Sequence, residues 1–120
     1  MKYALLIYSD ESQQAAATEA ESEKVMGEYF AYSSEIFASG AMKGGDALQP
    51  SGTATTVRVR DGERLVTDGP FAEAREQLGG FFLVDVENLD DALEWAARCP
   101  GARYGTVEVR PVIEFGDAPA

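Results

Sequence analysis

Two short apolar runs, Tyr3–Tyr8 (YALLIY) and Phe81–Val86 (FFLVDV), are each followed by a helix-patterned segment and then by further strand-patterned residues. Runs this short and this apolar read as strands covered on both faces, not as half-solvated ones. After the first run comes a polar linker, SDESQQAAATEAES, in which Thr18 and Glu21 form a capping box, T-x-x-E, at a helix start. Val25, Tyr29, Tyr32 and Ile36 then fall on one stripe, with Met26, Phe30 and Phe37 beside it. That spacing is helical and wide enough to cover a sheet. Gly40 is the natural stop. After the second run, Asn88 caps a helix whose buried face is expected to be Leu89, Ala92, Leu93 and Ala96. Asp90 and Asp91 suit the positive end of that helix, and Pro100-Gly101 ends it. Thr106 to Ile113 is the last strand, with Pro111 marking an edge or a bulge.

Between the two halves, MKGGDALQPSG reads as a turn or an irregular strand. Thr53–Arg60 and Glu63–Thr67 flank Asp61-Gly62, the strongest short hairpin signal. The resulting order, β-α-β(hairpin)-β-α-β, is an α+β, ferredoxin-like split βαβ: an antiparallel sheet with two helices on one face and an added hairpin. The length of 120 residues makes one domain, taken as 1–115, with 116–120 (GDAPA) as a flexible tail. Both faces of YALLIY and FFLVDV carry apolar side chains, so the face away from the helices needs a cover. A second copy of the chain is the simplest one, giving a homodimer with sheets packed face to face.

The charge balance narrows the function. With 21 acids against 10 bases the net charge is −11, which repels phosphate backbones and anionic membranes. Direct nucleic-acid or membrane partners are therefore not expected. The chain has no histidine, so Ser-His-Asp and Cys-His nucleophiles and histidine metal sites are excluded. A single cysteine, Cys99, builds neither an internal disulfide nor a structural zinc site, and it fits a reducing, cytoplasmic setting. It reads as a small buried hydrophobe. Gly-Gly at 44–45 and 79–80 is not a phosphate loop, since no Lys-Ser/Thr follows. No cofactor and no metal are expected. The apolar run at the start is too short for a signal segment, and no stretch approaches the roughly 20 apolar residues that span a bilayer.

The segment TDGPFAEAREQLGG, 67 to 80, concentrates special backbone chemistry in one connection. Asp68 falls at a strand end, Gly69 and Pro70 force a turn, Pro70 suits the first position of a short helix, and Phe71 would anchor it. Two readings of Asp68 stand. It caps the exposed N–H groups of the turn, or it points into a cleft as a general base or ligand anchor. Capping would favour the ionised form and make it a weak base. Tyr29 and Tyr32 either aim hydroxyls at that cleft or are core residues with hydrogen-bonded tips. Glu28 and Glu35 read as solvated helix surface. Glu73, Arg75 and Glu76 read as a surface ion network over the corner. Arg58, Arg60 and Arg64 read as an exposed strand face, with an anion-binding patch as the alternative.

MKYALLIY, ALQPSGTATTVRVRDGE, TDGPFAEAREQLGGFFLVDV and ALEWAARCPGARYGTVEVRP together resemble the YCII-related proteins, in their DGPF-domain branch, over about residues 1 to 115. The resemblance implies a dimeric α+β barrel of ferredoxin-like subunits from small bacterial cytoplasmic proteins. Some YCII proteins carry a His–Asp pair in a cleft, for which an enzymatic role has been proposed. Asp68 matches the acid of the DGPF motif by motif alone, and the histidine has no counterpart here. DGPF proteins also resemble partners found beside extracytoplasmic-function sigma factors, which implies a regulatory link without direct DNA contact.

Three functions are compatible with these residues. The first is a dimeric protein that binds a small organic ligand in a cleft near the DGPF turn, with Tyr29, Tyr32 and Phe71 as ligand-binding residues. The second is a histidine-independent enzyme in which Asp68 is the acid or base. The third is an interaction module for a regulatory protein such as a sigma factor.

Overall fold

The structure is a computed structural model that describes residues 1–116. The tail expected at 116–120 lies, except for Gly116, outside the described residues. The strands are β1 (Lys2–Ser9), β2 (Met42–Ala47), β3 (Thr55–Arg60), β4 (Glu63–Asp68), β5 (Gln77–Asp85) and β6 (Thr106–Pro111). The helices are α1 (Glu11–Ala16), α2 (Glu19–Ser39), α3 (Leu89–Arg98) and α4 (Gly101–Tyr104).

The main sheet has the order β2-β5-β1-β6, with every neighbouring pair antiparallel. This is the split βαβ arrangement, and it is α+β as the element pattern predicts. The two strands from apolar runs, β1 and β5, occupy the centre, where both of their edges are paired. β6 is an edge strand and ends at Pro111, whose missing N–H costs no ladder bond there. The glycine-bearing MKGGDA segment forms the other edge, β2, with a register shift between Met42 and Gly44.

One face of the sheet packs on the helices. Tyr3, Leu5 and Ile7 of β1 and Val84 of β5 are buried there with Tyr32 and Ile36 of α2, Ala92 and Ala96 of α3, and Cys99. Both caps foreseen for α2 are present. Thr18 and Glu21 exchange the two bonds of the capping box, and Gly40 closes the helix at φ +80°. The stripe foreseen for α2 divides in two. Tyr32 and Ile36 are buried, whereas Met26, Phe30 and Phe37 are about three-quarters exposed. The buried face of α3 also differs from the expected one. Ala92 and Ala96 face the core with Trp95 beside them, while Leu89 and Leu93 stay exposed. Small alanines let α3 approach the sheet closely, and the Trp95 ring fills the space beyond them.

The hairpin stands apart as its own two-stranded sheet, β3-β4. Its loop is Asp61-Gly62, with φ of 52° and 79°. Both are positive, as a type I′ turn requires, and glycine meets that demand without strain. The hairpin makes only isolated contacts with the other elements. The radius of gyration is accordingly 16.5 Å, against about 14 Å for a compact domain of this length.

Candidate functional site

The sequence places its candidate site at Asp68, and the structure separates that corner from the helix tyrosines. Asp68 ends β4 opposite Thr55, is exposed, and accepts no hydrogen bond among the described residues. The capping role foreseen for its side chain is therefore absent. The turn is instead held through Gly69, whose N–H donates to Ala54 O at 2.7 Å and whose carbonyl accepts from Thr56 Oγ1 at 2.7 Å. Pro70 starts no helix, because residues 69–76 run as bends and irregular chain. Phe71 is 72% exposed, and the Arg58 guanidinium lies 4.6 Å from its ring centroid. That stacking gives Arg58 a partner on the hairpin. Glu73, Arg75 and Glu76 form no ion pair among the described residues. Glu76 accepts instead from Thr106 Oγ1 at 2.8 Å.

Tyr32 is core. Its ring packs edge-on against Phe82 and Trp95, and its hydroxyl donates to Trp95 O at 2.8 Å. Burial pushes the phenol pKa up, so it remains neutral. Tyr29 occupies the boundary between core and cleft. An added Cβ at Gly101 would stand 2.6 Å from its hydroxyl and 2.6 Å from Ile7 Cγ2, so α4 packs here only because residue 101 has no side chain. Burial, then the neighbouring Cys99, raise the Tyr29 phenol pKa. Burial likewise raises the Cys99 thiol, which is a buried neutral group.

Beside Tyr29 lies a cleft of about 440 Å³ between α2 and the β2 edge of the sheet. Ile7, Met42 and Phe82 supply apolar surface, and Ser9, Gln14, Ser33 and Tyr29 supply neutral polar groups. Gly45, Ala47, Gly79, Gly80, Phe81 and one acid, Asp46, complete the lining. The strands meet closely at these glycines. A Cβ on Gly45 would stand 2.6 Å from Phe81 O, and one on Gly80 would stand 3.0 Å from Asp46 O. The strand backbone is therefore bared at the cleft. The far end of the TDGPF…GG segment thus lines the cleft, while Asp68 and Phe71 do not.

The rim depends on α1, a helix the sequence reads only as polar linker. Asp10 caps it by accepting from Ser12 N, and the carboxyl pKa is lowered chiefly by its bond with the Ser12 hydroxyl. Glu11 accepts from Ser51 N at 2.8 Å, and Glu11 N donates to Gln77 Oε1 at 3.0 Å. These bonds tie α1 to the chain leaving β2 and to the start of β5. Gln14 Nε2 in turn donates to Ser9 Oγ at 2.8 Å inside the cleft. A second depression of about 690 Å³ continues along α2 past Gln13, Val25, Met26 and Tyr104. The Glu28 carboxylate, expected to be free surface, accepts from Tyr104 at 2.7 Å and pairs with Arg103. Glu35, also expected to be free, pairs with Arg98. α4, the short helix that carries Arg103 and Tyr104, has too little sequence pattern to be foreseen.

The cleft residues Gln14, Ser33 and Ser9 are uncharged and unremarkable in sequence. Besides Tyr29, the signal in the sequence is the glycine doubling at 44–45 and 79–80, which reads equally well as turn chemistry. Comparison with known proteins supplies the family. The sequence matches the YCII-related domain over residues 1–116. This chain belongs to the YCII-related family. A relative from Rhizobium meliloti (strain 1021), named as the uncharacterized protein R00369, is 40% identical over 124 residues, with both chains covered completely. Within this YCII-related chain no helix of the described residues is long and apolar enough to cross a membrane. No group of three or more Cys, Asp or Glu among the described residues is placed to hold a metal ion.

Proposed function

We propose that this protein binds a small, non-anionic organic molecule in the cleft between α2 and the β2 edge. The observation that carries the proposal is the cleft lining itself: apolar walls, four neutral polar side chains, a single carboxylate at Asp46, and bare backbone at three glycines. Such a mixture of apolar wall and few polar groups is what small-molecule sites present. The lining contains no Lys or Arg, so an anionic ligand would find no counter-charge there, and the net charge of −11 adds to its cost. Tyr29 is the residue of the proposed DGPF-branch site that belongs to this cleft. Tyr32 supports it from the core, and Phe71 lies outside it.

Binding is favoured over catalysis because the cleft's phenol, Tyr29, is held protonated by burial and would be a poor base near neutral pH. Asp68 as an acid or base would need a substrate at the exposed hairpin corner, where one chain offers no enclosure. A role as a docking module for a sigma-factor-like regulator would use the acidic surface rather than the cleft. We further place the protein as a homodimer in the cytoplasm, with the open sheet face bearing Ala4, Leu6, Phe81 and Leu83 covered by a second copy. By register these residues alternate with the helix-covered ones.

A thermal-shift screen of neutral and cationic metabolites against wild type, Ser33→Phe and Asp68→Asn tests the binding proposal. Ligand at about 100 times its Kd stabilises by roughly 2.7 kcal/mol. Wild type and Asp68→Asn should both gain, and Ser33→Phe, which fills the cleft from α2, should not. Loss of the gain in Asp68→Asn with retention in Ser33→Phe would move the site to the DGPF corner.

A further inference from the structure

The isolated hairpin carries an unused edge with a self-complementary pattern. Gly69 N–H donates to Ala54 O, so Ala54 and Gly69 form a hydrogen-bonded pair of the β3-β4 ladder. Hydrogen-bonded and non-hydrogen-bonded pairs alternate along an antiparallel ladder. With the observed register, Thr55–Asp68, Val57–Val66 and Val59–Arg64 are then the non-hydrogen-bonded pairs. On β4, the backbone N–H and C=O of Arg64, Val66 and Asp68 therefore point outward, away from β3. The hairpin packs on no other strand, and a lone two-stranded hairpin is marginal in water. Its apolar side chains are bare as well: Val57 is 57%, Val59 61% and Val66 56% exposed.

Arg64, Val66 and Asp68 lie on one face of β4 at spacings of two, with a cation and an anion either side of an apolar centre. Among the described residues neither charge has an ion-pair partner. Rotation by 180° about an axis through Val66 places Arg64 opposite Asp68, Val66 opposite Val66, and Asp68 opposite Arg64. The same rotation brings each outward N–H of these residues against an outward C=O. We propose that β4 pairs antiparallel with β4 of a second copy about a two-fold axis at Val66, with Asp68 of each copy opposite Arg64 of the other.

Hydrogen-bond parity allows axes at Leu65, Val66 and Thr67, and the charge pattern selects Val66 among them. An axis at Leu65 would set Arg64 against Val66 and leave Asp68 opposite the Gly62 turn. An axis at Thr67 would set Arg64 against Pro70, which has no N–H to donate. The shared sheet becomes β3-β4-β4-β3, with a continuous row Val57–Val66–Val66–Val57 on one face. The exposed ion pairs fix the register more than they supply affinity. Asp68, the acid of the TDGPF corner, becomes an intersubunit residue, and the glycine and proline after it turn the chain off the shared edge.

Single cysteines read the pairing in the otherwise complete chain, since the native Cys99 is buried. Val66→Cys should oxidise to a covalent dimer under mild conditions, because the two residues face each other across one strand spacing. Val57→Cys, equally exposed on the same face, should not. Its two copies stand three strand spacings apart, about 14 Å, beyond the reach of a disulfide at roughly 7 Å between Cα atoms. Adding Asp68→Arg to Val66→Cys should abolish the cross-link, and adding Arg64→Asp to that pair should restore it. Equal cross-linking of Val66→Cys and Val57→Cys, no cross-linking of either, or failure of the charge swap to restore it would overturn the proposal.

Discussion

At the scale of single residues, Glu28 ties α2 to α4. Its carboxyl pKa is lowered from 4.5, first by the hydrogen bond from Tyr104 and then by that from Arg103. A depressed carboxyl contributes stability above its unfolded pKa and loses it as pH falls through the folded one. Glu28→Gln should therefore lower Tm at pH 7, and the gap from wild type should narrow progressively as the pH is taken below 4.5. A pH series of thermal melts on both proteins checks this, and a gap that stays constant into acid would remove the assigned cause. Single residues also show where sequence signals stop. The periodicity of α2 marks Tyr29 and Tyr32 as inward, yet it cannot tell that one hydroxyl meets a backbone carbonyl and the other meets Cys99 across a glycine. Such contacts join residues about 60 or more positions apart, and no local pattern encodes them.

At the scale of elements, the strong local signals are matched by the structure. The capping box at Thr18, the left-handed Gly40 and the Asp61-Gly62 turn each depend on a few consecutive residues, and each forms as its chemistry requires. Elements held by distant partners are less legible. α1 has six residues, too few for a helix stable alone, and it persists through Glu11 bonding to Ser51 and Gln77. β2 contains Gly44 and Gly45 and scores poorly as a strand, yet β5 recruits it as an edge. Of the face expected for α3, Ala92 and Ala96 are buried while Leu89 and Leu93 are not, because close approach to the sheet selects alanine over the more hydrophobic leucine. The glycine doublets were seen, but their meaning came only from the fold, which brings 44–45 and 79–80 onto neighbouring strands. At the DGPF corner the acid and the proline draw the eye in sequence, and the residues that reach the cleft are the plain glycines at its end.

At the scale of the whole molecule, one chain leaves much apolar surface bare: the open sheet face, the Phe30–Phe37 side of α2, and the hairpin. An acidic chain with net charge −11 stays soluble as a monomer only while such surface is small or covered. Light scattering at micromolar concentration should give at least twice 12.9 kDa, and a monomeric mass would sink the proposed assembly. The central claim remains the cleft. Its most direct test follows backbone amide NMR signals while a stabilising ligand from the thermal screen is titrated in. The amides of Gly45, Gly79 and Gly80 should shift together with that of Ser33, while that of Gly69 at the DGPF corner should stay in place. A ligand that moves Gly69 and leaves the three cleft glycines unmoved would contradict the account.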